Sequence, residues 1–96
     1  MLTSKQRANI RKVANALDAE VQIGQNGITE NLLKQINMAL DSHELVKISI
    51  LANSDVNAKA IINDLAKTLN AEPIQAIGNK IVLYRFSRKA KNHIEF

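Results

Sequence analysis

The apolar residues of this chain switch repeatedly between helical and strand spacing, and that alternation leaves few folds open to it. Ile10, Val13, Ala14 and Leu17 recur at i, i+3, i+4 and i+7, behind Thr3 and Gln6 at capping-box spacing. Glu20 to Ile23 is a short alternating run closed by Gly24, which predicts a strand. Thr29 is placed as the N-cap of a second helix, with Glu30 in its first turn and Leu32, Leu33, Ile36 and Leu40 as its buried stripe. From Leu45 to Leu51 the spacing returns to that of a strand, with Val46, Ile48 and Ile50 on one side and Lys47 and Ser49 on the other. Ser54 or Asp55 is expected to cap a third helix with the stripe Val56, Ala60, Ile61, Leu65 and Leu69. Pro73 falls at a strand entrance, where a missing N–H matters least. Ile74–Ile77 and Lys80–Arg85 flank Gly78-Asn79, a hairpin loop suited to a type II′ turn.

The order α-β-α-β-α-β-β predicts an α/β fold: a single-domain sandwich with helices packed on a four-stranded mixed sheet. At 96 residues the chain is too short to divide into two cores. The domain is expected to cover residues 1–88, and the basic stretch 89–96 to form a flexible tail. There is no cysteine, which excludes disulfides and thiolate metal sites. The N-terminal segment has no apolar h-region, and no run approaches the ~18 apolar residues of a membrane span, so a cytoplasmic protein with no membrane association is expected. Nothing in the pattern demands an obligate dimer, and a monomer is the expectation.

Charge is segregated along the chain. Residues 1–17 carry Lys5, Arg7, Arg11 and Lys12 and no acid, while residues 18–79 hold four lysines against eight acids. Residues 80–96 are again basic, with Lys80, Arg85, Arg88, Lys89 and Lys91 against Glu95. If the fold joins the two ends, they form the footprint of a polyanion binder; otherwise the runs are ordinary solvated faces.

Catalysis finds little support in the residue inventory. His93 lies in the expected tail, and His43, between Asp41 and Glu44, has no second histidine nearby. A cation at a helix end beside an acid at a strand start needs no catalytic or metal role. No Gly-Lys-Ser/Thr triplet marks a phosphate-hydrolysing loop. No enzyme activity, cofactor, metal or small-molecule substrate is therefore expected.

The loop Gly24-Gln25-Asn26-Gly27 carries more. It lies between a strand and the N-terminus of a helix, whose free N–H groups and positive dipole end suit a phosphate. A plain tight turn would use the same two glycines for conformational reasons. Three aromatics, Tyr84, Phe86 and Phe96, are too few for a base-stacking platform. RNA binding by this chain would therefore rest on clamping the backbone, with shape rather than sequence selected.

The blocks LTSKQRANIRKVANAL, VQIGQNGITENLLKQINMAL, HELVKISIL and AIGNKIVLYR follow one another here as they do in the CRM domain, the family of chloroplast RNA splicing and ribosome maturation. The chain resembles the free-standing bacterial members, called YhbY-like, from about residue 2 to residue 88. The resemblance implies the same element order, a fold similar to the C-terminal domain of translation initiation factor three, and a GxxG loop like that of KH domains. It implies an RNA-binding protein that associates with precursors of the large ribosomal subunit and assists ribosome assembly. Carried over by motif, Gly24, Gln25, Asn26 and Gly27 become the clamp, and Lys5, Arg7, Arg11 and Lys12 its flanking surface. Arg85, Arg88 and Lys89 complete the expected RNA-binding set, although Arg85, ending the LYR strand, suits a structural role equally.

Two features depart from the family pattern. The family loop usually carries a lysine or arginine between its glycines, where this chain has Gln25 and Asn26, so charge assistance is lost there and the helix and tail must supply more. A proline common just before the first strand is replaced by Ala19. The rival reading is a protein-interaction module docking on ribosomal or assembly proteins; DNA binding is a third, since net charge does not distinguish the nucleic acids.

Overall fold

The computed structural model describes residues 2–90. The chain forms α1 (Ser4–Asn15), β1 (Val21–Ile23), α2 (Glu30–His43), β2 (Leu45–Ile50), α3 (Ala58–Leu69), β3 (Glu72–Ile77) and β4 (Lys80–Tyr84). The sheet order is β1-β2-β4-β3. β1 pairs parallel to β2, as a crossover through a helix requires, and β4 pairs antiparallel to both β2 and β3. This is the mixed four-stranded sheet with packed helices that the sequence predicts.

The helices divide between the two faces. α2 and α3 cover one, with Ile23, Ile36, Leu40, Val46, Ile48, Leu65, Ile81 and Leu83 in the larger core. α1 lies alone on the other, where Ile10 and Ala14 pack on Leu45, Ile74, Val82 and Tyr84. A lone helix on a wide sheet is covered only along its inner line. That is why Val13 (36% exposed) and Leu17 (40% exposed), both expected in the stripe, stay outside the core. Leu17 also lies beyond the end of α1.

The helix starts follow local chemistry. Thr3 and Gln6 form the reciprocal capping box, and the Thr29 hydroxyl accepts from the Leu32 N–H. The third cap differs from expectation: it is Asn57, whose side chain accepts from Ala60 N–H, rather than Ser54 or Asp55. The Ser54 hydroxyl is engaged inside its own turn by the Val56 N–H. Val56 thus falls before the helix, and the buried face of α3 is Ala58, Ile62, Leu65, Ala66 and Leu69, with Ala60 exposed and Ile61 half-buried. In the hairpin, Gly78 takes φ 57° while Asn79 stays outside the positive-φ region, the combination a type II′ turn demands.

Tyr84 is buried at 5% exposure beneath α1, and burial, aided by the nearby Glu44 charge, pushes its pKa above the ordinary value of 10.0. The unfolded chain therefore releases the phenolic proton at a lower pH than the folded one. The resulting contribution is intact below pH 10 and falls away as pH rises beyond it. Thermal melts across pH 8–11 are expected to show an alkaline loss of stability that is shallower in Tyr84→Phe.

Candidate nucleic-acid interface

β1 ends at Ile23, level with the end of β2 through the pair Ile23–Ile50, and the chain turns there into α2. The turn is closed by Gly27 N–H donating to Gly24 C=O at 3.0 Å. The two glycines are not equivalent. Gly27 sits at φ 67°, where a side chain is strained, and a Cβ there would stand 3.6 Å from Val56 Cγ2. Gly24 has no such φ, and a Cβ would meet only Leu51 Cδ1, at an ordinary 3.9 Å. The fold needs glycine at position 27 and tolerates a side chain at position 24.

Among the described residues, the N–H groups of Gln25, Asn26, Glu30 and Asn31 have no protein acceptor. Three of these residues, Gln25, Asn26 and Asn31, line a shallow cavity of about 540 Å³ together with Gln22, Gly24, Gly27, Thr29, Leu32 and Gln35. That lining is polar and carries no ionised side chain. Backbone donors at a helix N-terminus suit an anion, while long-range attraction must come from cations elsewhere.

The expected cations divide into two kinds. Lys5 and Lys12 are exposed on α1 away from the sheet, and Arg11 is half-buried on its flank. Arg7, by contrast, donates to Pro73 C=O and pairs with Glu72 Oε2 at 2.9 Å, fastening α1 to the edge strand β3. Arg85 is more deeply engaged. Its Nη1 donates to Leu69 C=O at 2.7 Å and Asn37 Oδ1 at 2.8 Å, and its Nη2 to Asp41 Oδ1 at 2.9 Å and Asn37 C=O at 3.0 Å. Arg88 and Lys89 are exposed, and Lys89 Nζ stands 3.9 Å from Asp41 Oδ2. The acidic middle of the sequence thus holds part of its basic ends in place.

The described parts of the two basic segments do meet: Leu2 and Gln6 share a shallow cavity with Tyr84, Arg85 and Phe86. They meet at the far end of the sheet from the loop. β4 begins opposite Ser49, near the loop, and ends opposite Leu45, so its length separates Arg85 from the loop level. At ~3.3 Å per residue, that is about 16 Å along the strands. Lys12 lies in the last turn of α1 and is nearer the loop's end, whereas Lys5, Arg88 and Lys89 belong to the other. The stretch 91–96, containing Lys91, His93 and Phe96, lies outside the described residues, as does most of the expected tail.

His43 forms no cluster with Asp41 and Glu44. Its Nδ1 stands 3.3 Å from Glu20 Oε2 at the surface, while Glu44 is buried and receives the Ser87 N–H. Among the described residues no group of three or more histidine, aspartate or glutamate side chains could hold a metal ion. Nor is any helix there long and apolar enough to cross a membrane.

Helices on both faces of a β1-β2-β4-β3 sheet, with a GxxG turn opening onto a helix N-terminus, define a small α/β domain of the CRM type. Residues 2–85 match the model of the CRS1/YhbY (CRM) domain, and the chain belongs to that family. It is 38% identical to the probable RNA-binding protein YqeI of Bacillus subtilis, over 95% of each chain. It is 37% identical to a Haemophilus influenzae protein named RNA-binding protein, over 94% of this chain and 91% of that one. The solution structure of SAV1595 from Staphylococcus aureus superposes with a TM-score of 0.81 at 39% identity, covering 99% of this chain and 98% of that one.

Proposed function

We propose that this chain binds RNA through its phosphate backbone, on precursors of the large ribosomal subunit, and assists ribosome assembly without catalysis. Family membership supports RNA as the partner, and the observation that carries the clamp is Gly24. It is a glycine that neither backbone conformation nor crowding requires, beside N–H groups with no protein acceptor among the described residues. Absence of a side chain there permits the close approach of another backbone. The loop fixes one phosphate while Lys12 and Arg11 attract the strand on either side. Lys5, Arg88 and Lys89 serve RNA that continues along the molecule to the opposite end. Arg7 and Arg85 contribute field from where their internal bonds hold them.

The test is binding of structured ribosomal RNA across a salt series. With roughly four to six phosphate contacts, log K is expected to fall against log salt with a slope of about −3 to −5. Arg11→Glu and Lys12→Glu are each expected to flatten that slope and weaken binding about tenfold, with melting temperatures within about 5 °C of the parent, since neither side chain makes a hydrogen bond or ion pair among the described residues and the Lys12 charge in the last turn of α1 is the main stabilising feature lost. Flat binding by the parent chain would transfer the assignment to protein docking, and nuclease-resistant association with precursor particles would be its signature.

A further inference from the structure

At the end nearest the loop the sheet face that carries α1 is only partly covered: Gln22 and Ile77 are exposed at its edges, while Lys80 is half-buried and Ser49 is buried between them. Gln22, Ser49, Lys80 and Ile77 stand opposite one another there across all four strands, in one row on one face. The next row is Lys47, Val82 and Gln75, and α1 ends above it at Asn15. Between the helix end and this floor lies a recess of about 160 Å³, lined by Asn15, Lys47, Gln75, Ile77, Lys80 and Val82.

The chemistry of this recess is one-sided. It holds two lysines and no carboxylate. Lys47 Nζ donates to Ala14 C=O at 3.4 Å and Leu17 C=O at 3.2 Å, so its charge is fixed at the C-terminal end of α1. Lys80 Nζ donates to Ser49 Oγ at 2.8 Å, which leaves two of its three protons for a ligand. Among the described residues the amides of Asn15 and Gln75 make no side-chain hydrogen bond, and Ile77 is 61% exposed. Gln22 belongs both to this row and to the lining of the loop cavity, so the two surfaces are continuous.

We infer that this recess receives one unpaired nucleotide of the bound RNA, a reading that rests on the RNA-binding function proposed above. The base enters between Ile77, Val82 and the end of α1, its edge meets the amides of Asn15 and Gln75, and the adjoining phosphate lies on Lys80. The row is four strands wide, about 14 Å at ~4.8 Å per strand, and leads directly from the loop. A base fits a recess of about 160 Å³ only when it is unstacked and splayed out of a helix, so the ligand is single-stranded at this point. The recess would thereby add base preference to a clamp that by itself reads only backbone.

The test uses the full chain with a short oligouridylate carrying one photoreactive thiouridine, and a duplex of equal length. Single strand is expected to bind more tightly than duplex, and irradiation to attach it to Asn15 or to the segment Gln75–Val82. Lys80→Glu is expected to weaken binding about tenfold and reduce the salt slope by about one. Gln75→Ala is expected to change the ratio of oligouridylate to oligoadenylate affinity. Attachment confined to the loop, with Lys80→Glu binding as the parent does, would remove the recess and leave the clamp standing. Failure of the parent chain to bind any RNA would remove the clamp as well. The attachment experiment needs no substitution, so a poorly folded variant does not decide the matter.

Discussion

Arg85→Ala is expected to lower stability by about 2–3 kcal/mol, through the loss of four charge-assisted hydrogen bonds, two of them partly shielded from water. One guanidinium donates to four acceptor atoms on three separate residues: both oxygens of Asn37, the carbonyl of Leu69 and the carboxylate of Asp41. Asn37 and Asp41 lie on α2 and Leu69 ends α3, so the side chain ties the C-terminal halves of both helices to the strand they cover. The adjoining backbone reinforces the tie. Arg85 N–H donates to Glu44 C=O, and Ser87 N–H to Glu44 Oε2, around a glutamate held at φ 65°. A non-glycine residue in that region costs roughly 1 kcal/mol or more, and the segment after β4 holds it there. For a domain of this size the loss corresponds to a fall in melting temperature of about 10–20 °C. Arg85→Lys should recover only part of it, since one ammonium cannot reproduce the planar fork. If Arg85→Ala instead melts with the parent and loses RNA affinity alone, the residue belongs to the interface and its internal bonds are incidental.

Arg85 also illustrates what the sequence can and cannot convey about such a protein. The elements were legible because each has a local cause: the Thr3–Gln6 box, the Thr29 cap, the Gly78 turn and the two spacings of apolar residues. The strand order was not. Whether β4 falls between β2 and β3 or at an edge depends on pairing across more than thirty residues, as in Ser49–Lys80, and no local signal encodes it. Charge is the harder signal. A run of basic residues reads alike whether its members face solvent or face Glu72 and Asp41, and only the fold separates Lys12 from Arg7. The GxxG loop was legible as a motif, but not that its two glycines have different reasons to be there. The row on the sheet has no motif to mark it as a nucleotide site, although the polar side of β2, Lys47 and Ser49, shows in the alternation. A polar face on a central strand is the signal that could have found it, because a central strand covered on both sides should be apolar on both.

Gly24→Asp is the substitution that separates clamp from turn most cleanly. The position has ordinary backbone geometry and room for a Cβ, so the aspartate can be accommodated without strain; removing a glycine also restricts the unfolded chain, an effect of about 0.4–1 kcal/mol in favour of folding. Folding stability should therefore hold or rise slightly. RNA affinity should fall on the order of tenfold or more, because a carboxylate placed among the loop N–H groups repels the phosphate and offers those donors a competing acceptor. Gly27 provides the internal control with the opposite balance. There, φ 67° alone makes even Gly27→Ala destabilising by about 1 kcal/mol, so any loss of binding is mixed with loss of structure. Gly24→Ala refines the comparison by adding bulk without charge. A loss of affinity in both Gly24 variants means that the phosphate approaches within contact of that Cα. Loss in the aspartate alone means that the charge acts from a distance. Unchanged affinity in both removes the loop from the interface and leaves the lysines of α1 and β4 as the determinants of binding.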